Sequence, residues 1–185
     1  MNSDRADIQA CVDGDTGAYK RLIMKYEAEI TRLMWRFTRN KAECEALVQD
    51  VFVEAFLNLR TYQGKAPFLN WLKKIGTRAG YRFWKERYKA VRCVSLQDCK
   101  SPFEKTATPV RPQDAAELLH VLLSRLADKD RLILTLMYLE ECDTREIARR
   151  MGWTHTAVKM RAMRARHKIK RLAENGLLEK LGWKD

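Results

Sequence analysis

The chain has 185 residues, with 36 Lys and Arg against 24 Asp and Glu, a formal balance of +12. With 46% hydrophobic and 32% charged residues it can bury a core, and with eight Gly and four Pro it is neither collagen-like nor a low-complexity chain. There is no apolar run long enough to span a bilayer, and the opening MNSDRADIQACVDGD has no apolar signal region, so neither membrane insertion nor export is expected.

Periodicity predicts helices throughout. Tyr19, Leu22, Ile23, Tyr26, Ile30, Leu33, Met34 and Phe37 recur at three- and four-residue spacing, and Asn40 is the expected stop of this first helix. A second helix is expected over Glu43–Arg60, with Val48, Val51, Phe52, Ala55 and Leu59 as its core stripe. Gly64 and Pro67 break the chain, and a third helix follows over Phe68–Lys89. Residues 91–116 hold Pro102, Pro109 and Pro112 without helical period, and read as a flexible linker. The period returns with Leu118, Leu119, Leu122, Leu123 and Leu126, and Asp128 opens a further helix through Leu132, Ile133, Leu136 and Met137. Nothing alternates as a strand would. The expected fold is all-α: two small helical domains, residues 1–90 and 117–174, joined by the linker 91–116 and followed by a tail, 175–185, with Leu177, Leu178, Leu181 and Trp183.

The charge is concentrated. Residues 73–92 hold eight basic residues against Glu86, and residues 145–171 hold ten against Glu146, so these segments carry +7 and +9 and the remainder −4. Two separate basic segments on a slightly acidic chain point to two contacts with a polyanion, nucleic acid first and an anionic membrane surface second. The five cysteines, Cys11, Cys44, Cys93, Cys99 and Cys142, are odd in number and scattered, with Cys93 and Cys99 in an expected loop. A reducing cytoplasm suits them better than a disulfide framework, and without CxxC or HxxxH neither a metal site nor a cofactor is expected.

In the second basic segment, Asp143 and Glu146 can form a capping box for a helix holding Ile147, Ala148 and Met151. Ala148 is small where two helices cross, and Gly152 falls at a turn that calls for positive φ. Val158, Ala162, Ala165, Ile169 and Leu172 then form the buried stripe of a second helix. This is helix-turn-helix spacing. The opposite face carries Thr156, Lys159, Met160 and Met163 as base-reading candidates, flanked by Arg161, Arg164, Arg166 and Lys168 for phosphates. A solvated basic helix on a bundle is the competing reading.

In the first basic segment, Lys74, Arg78, Arg82, Lys85 and Lys89 fall within an arc of roughly 80° on a helix. Tyr62, Phe68, Trp71, Tyr81, Trp84 and Tyr88 are interleaved with them. Cations with aromatic rings suit unstacked single-stranded bases, although any one of these rings can equally serve the core. On the second helix, Val53, Phe56 and Leu57 lie off the core stripe beside Gln49, Asp50 and Glu54, which suggests a docking patch for a basic protein surface or a second core contact.

Three motifs, ALVQDVF (46–52), YxGKxxFxxWL (62–72) and VKxRxxRAR (158–166), taken together, resemble the extracytoplasmic-function (group four) sigma factors of bacterial RNA polymerase over roughly residues 15–172. The resemblance implies promoter recognition without catalysis. Gln49, Asp50, Val53 and Phe56 are then expected to meet the β′ subunit of core polymerase. Residues from Tyr62 to Lys89 are expected to recognise and melt the minus-ten element, with an unstacked base held near Lys65–Asn70. The helix at 155–171 is expected to read the minus-thirty-five element, and the linker to thread through polymerase toward the RNA exit path, with the β subunit of core polymerase as a further implied partner. An anti-sigma factor is an implied partner. The family often has an acid where Ala46 stands, Asn and Asp where Arg78 and Arg82 stand, and Gly and Ser where Thr156 and Met160 stand. The two arginines are expected to strengthen backbone binding and its salt dependence. A stand-alone helix-turn-helix regulator is the alternative; a nuclease lacks a carboxylate cluster beside the basic segments.

Overall fold

A computed structural model of the chain describes residues 2–95, 115–172 and 174. Among the described residues all regular structure is helical: α1 (Asn2–Val12), α2 (Thr16–Met34), α3 (Lys41–Leu57), a 3-10 turn (Leu59–Thr61), α4 (Phe68–Ser95), α5 (Ala115–Ser124), α6 (Asp128–Leu139), α7 (Thr144–Met151) and α8 (His155–Leu172). The contacts divide the chain into Met1–Phe83 and Trp84–Asp185.

In the first unit, α1 packs on α2 and on the 3-10 turn, and α2 packs on α3. The α2 stripe is buried as its period demands, with Leu22, Ile30, Leu33 and Met34 fully enclosed and Phe37 beyond the helix end. Each such side chain contributes about 1.5–3 kcal/mol by leaving water. Asn40 does not stop α2, which ends at Met34. It caps α3 instead, its side-chain oxygen accepting from the Glu43 amide at 3.1 Å. The helix expected to reach Arg60 ends at Leu57, and Leu59–Thr61 tightens into the 3-10 turn. α1, which the apolar period did not reveal, has Ile8 as its one buried residue among the described side chains.

Gly80 sets how closely α4 approaches the end of α2. A Cβ there would stand 2.4 Å from the Phe37 ring. Helix propensity alone favours alanine over glycine by about 1 kcal/mol, but overpacking of this kind costs roughly 1–3 kcal/mol. Gly80→Ala is therefore expected to lower the thermal midpoint, against the propensity, as followed by circular dichroism.

α4 runs to Ser95, so residues 91–95, assigned above to the linker, are helical, and Cys93 lies in helix and not in a loop. Ala115 and Ala116, also assigned to the linker, begin α5. The remainder of the linker, with its three prolines, and the tail from residue 175 lie outside the described residues.

In the second unit, α8 packs on α5, α6 and α7. Leu123, Leu126, Leu134 and Ala165 form a core cluster, with Ile169 against it. Asp143 caps α7, accepting from the Glu146 amide at 2.7 Å. That backbone bond holds its carboxyl below the usual carboxylate range. Glu146 turns its own carboxylate to the Arg150 Nε at 2.9 Å, so the expected box closes on one side. Gly152 takes φ 70°, the left-handed turn expected for it.

Candidate nucleic-acid interface

The first unit presents a pocket of about 540 Å³ between the 3-10 turn, the loop after it and the first three turns of α4. Its lining includes Tyr62, Lys65, Asn70, Trp71, Lys74 and Arg78, with Glu54 and Asn58 at the side of α3. These six residues, all within the stretch expected to contact the minus-ten strand, thus face one cavity. The loop is held by Tyr62, whose hydroxyl donates to the Ala66 carbonyl at 2.5 Å, and by the Asn70 amide donating to the Pro67 carbonyl at 3.0 Å. Burial pushes the Tyr62 hydroxyl up, with Asp4 adding to the effect and Arg5 opposing it, so it stays a neutral donor.

The aromatic residues divide by depth. Phe68 is 2% exposed and belongs to the core. Its ring stacks on Trp71 at 5.5 Å and meets the edge of Tyr62 at 5.4 Å, while Tyr62 and Trp71 lie 5.5 Å apart. Tyr62 and Trp71 are half-buried and line the pocket. Trp84 is buried. A planar ring entering the pocket meets an aromatic wall with cations at its rim, the combination that holds an unstacked base beside its phosphate.

Two cations expected on this face differ from the rest. Arg82 donates from Nη2 to the Glu54 carboxylate at 2.6 Å, linking α4 to α3. Lys85 is exposed further along α4. The side chain of Lys89 lies outside the described residues.

α3 displays a patch on its outer face. Val53 is 59% and Leu57 75% exposed, with Gln49 and Asp50 exposed beside them. Phe56 is half covered, its ring 4.9 Å from Tyr19, whose hydroxyl donates to the Phe52 carbonyl at 2.5 Å. Val53 and Leu57 thus face solvent, while Phe56 keeps a partial contact with the core. Met24 on α2 is also exposed. It was not singled out in the sequence because it falls outside the α2 stripe and joins no motif.

In the second unit, α7, Gly152 and α8 form the helix-turn-helix. Val158, Ala162 and Ala165 are buried, so the opposite face of α8 turns outward. Thr156, Lys159, Met160, Met163 and Arg166 line one depression of about 820 Å³ with Thr144 and His155. Met160 is 46% exposed. The Thr144 hydroxyl and the His155 Nε2 are 2.9 Å apart, joining the start of α7 to the start of α8.

The arginines assigned to phosphates again divide. Arg164 is exposed. Arg166 lies 5.9 Å from the exposed ring of Tyr138. Arg161 donates to the Asp130 carboxylate at 3.1 Å, tying α8 to α6. Arg150, counted in the basic segment, is buried against Glu146. Among the described residues, no group of three or more His, Cys, Asp or Glu could hold a metal ion. Among them also, no helix is long and apolar enough to cross a membrane.

These two surfaces coincide with two family matches. Residues 22–90 match the model for sigma-70 region 2 and residues 116–169 the model for sigma-70 region 4. The chain belongs to the sigma-70 family, as an extracytoplasmic-function (group four) sigma factor, a transcription initiation factor that works without catalysis of its own. It is 26% identical over 168 residues to the extracytoplasmic-function sigma factor SigW of Bacillus subtilis, covering 85% of this chain and 90% of that one. Its fold is similar to CnrH, solved in complex with the cytosolic domain of CnrY, at a TM-score of 0.60 and 21% identity, covering 94% of this chain and 98% of that one. It is similar also to RpoE of Bartonella quintana, solved with the anti-sigma factor NepR, at a TM-score of 0.60 and 18% identity, covering 84% and 96%.

Proposed function

We propose that this sigma factor docks on core RNA polymerase through α3, holds an unstacked minus-ten base in the pocket beside Trp71, and reads the minus-thirty-five element with α8. The observation that carries the reading is the pair of DNA-suited surfaces on separate units. One is concave and aromatic and suits opened strands. The other is a helix-turn-helix face and suits duplex. Gln49, Asp50, Val53 and Phe56 serve the β′ contact, with Leu57 extending it. The linker follows the path toward the RNA exit. An anti-sigma factor restrains the chain by covering these surfaces, a role supported by the complex of RpoE with the anti-sigma factor NepR.

Mixing the chain with sigma-free bacterial core polymerase is expected to give initiation from a defined start on its promoter. Tight duplex binding by the chain alone, without directed initiation, overturns this reading. The α3 patch is tested separately. Replacing Val53 and Leu57 by serine removes apolar anchors that have no core role, so competition against another sigma factor for core polymerase is expected to weaken by about tenfold or more. Unchanged competition, with the helical signal intact, removes α3 as the docking helix.

A further inference from the structure

α1 lies outside the segment matched to region 2, yet it is bonded to the frame of the pocket. Asp4 is the contact. Its Oδ2 accepts from the Tyr26 hydroxyl at 2.5 Å, and its Oδ1 meets the Lys25 ammonium at 2.5 Å. The same ammonium lies 5.4 Å from the Tyr26 ring. Tyr26 is buried, and its ring packs on Phe68 at 5.7 Å. Phe68 in turn stacks on Trp71 and edges against Tyr62. α1 also packs on the 3-10 turn that leads into Tyr62.

The geometry points to Asp4 as a positioning residue for the minus-ten pocket, fixing the Tyr26 ring that backs Phe68 and so the angle at which Trp71 meets a base. This rests on the pocket reading above. A buried tyrosine hydroxyl needs a partner, and here its partner is supplied by a helix that touches no DNA in that reading. Without Asp4 the ring can tilt toward another acceptor, and each ring packed behind it shifts in turn, because close-packed interiors transmit displacement. Burial by itself raises the Asp4 carboxyl; the bonds from Lys25 and Tyr26 outweigh it and hold the group below the usual carboxylate range. Asp4 therefore stays ionised at neutral pH, and its contribution is lost only as acid protonates it below the unfolded value.

The test uses holoenzyme assembled from core polymerase and each full-length variant. The probe is a dye-labelled single strand spanning the non-template minus-ten region of a promoter that the holoenzyme transcribes. Asp4→Ala and Tyr26→Phe are each expected to weaken strand binding by about threefold to tenfold, the effect of one net hydrogen bond. The double variant is expected to lose no more than Asp4→Ala alone, because both substitutions cut the same Tyr26–Asp4 bond. Tyr26→Phe keeps the ring and its burial, and competition for core polymerase is expected to stay at the parent level. Asp4→Asn, which keeps an acceptor for Tyr26, is expected to retain most of the strand binding. Parent-level strand binding in Asp4→Ala and Tyr26→Phe, measured well below their thermal midpoints, while Trp71→Ala binds weakly, overturns the positioning role alone. Parent-level strand binding in Trp71→Ala overturns the pocket reading and this proposal with it.

Discussion

Trp71→Ala is expected to give a holoenzyme that binds its promoter but opens it poorly. Stacking of one base on an aromatic ring is worth about 1–3 kcal/mol, so strand capture is expected to fall roughly fivefold to a hundredfold. Permanganate reactivity of thymines in the melted region reads the opening step directly. Trp71 also packs on Phe68 and Tyr62, so its truncation acts on the fold as well as on the pocket. The circular dichroism signal and thermal midpoint of the chain separate the two. A second variant does so independently: Lys74→Ala alters the pocket rim without touching the aromatic stack, and it is expected to weaken strand binding and to reduce its salt dependence by about one charge. Normal melting by a folded Trp71→Ala chain removes the pocket from the opening step.

Substitutions at Lys159 and Met160 are expected to change which minus-thirty-five sequence is used. Both side chains line the same depression on the outer face of α8. A lysine can donate to guanine edges, and a methionine offers apolar contact to a thymine methyl. One good base contact discriminates by about 1–3 kcal/mol. Transcription from a promoter pool randomised at the minus-thirty-five positions reads this as a changed base preference. Arg164→Ala, on the flank of α8, is expected to weaken binding across all sequences and to lower the salt slope by about one.

Arg161 is the instructive control. Its bond to Asp130 gives it a role in holding α8 on α6, so Arg161→Ala is expected to cost up to about 1 kcal/mol of stability and to leave base preference intact. A preference change at Arg161, or none at Lys159 and Met160, contradicts this assignment.

The helix-turn-helix was legible in the sequence because its signals are local. Asp143 three residues before Glu146 marks a cap, Gly152 marks a left-handed turn, and Val158, Ala162 and Ala165 mark a buried stripe; each depends on neighbours within one or two turns. The same holds for the stripe of α2 and for the pocket loop, where Tyr62, Lys65, Asn70 and Trp71 lie within ten residues and are brought together by one turn and one helix start. Asn40 was misjudged because asparagine serves both as a stop and as a cap, and the seam between two helices cannot be placed by period alone. α1 was missed because it is short and buries little beyond Ile8; its attachment is polar and runs through Asp4, which carries no periodic signal.

The amino-acid order by itself determined the helices other than α1, the two concentrations of positive charge and the turn that makes a helix-turn-helix, since all of these follow from period, composition and single-residue conformational limits. Only the tertiary structure decided which charges are spoken for. Arg82 meets Glu54 across 28 positions and Arg161 meets Asp130 across 31, and Arg150 is buried. It also decided that Phe68 sits beneath the pocket while Trp71 lines it, and that Asp4 of α1 braces Tyr26. A helical period says which face of a helix is apolar or charged. Which residue stands opposite that face depends on how distant helices cross, as Gly80 against Phe37 illustrates, and that is a property of packing.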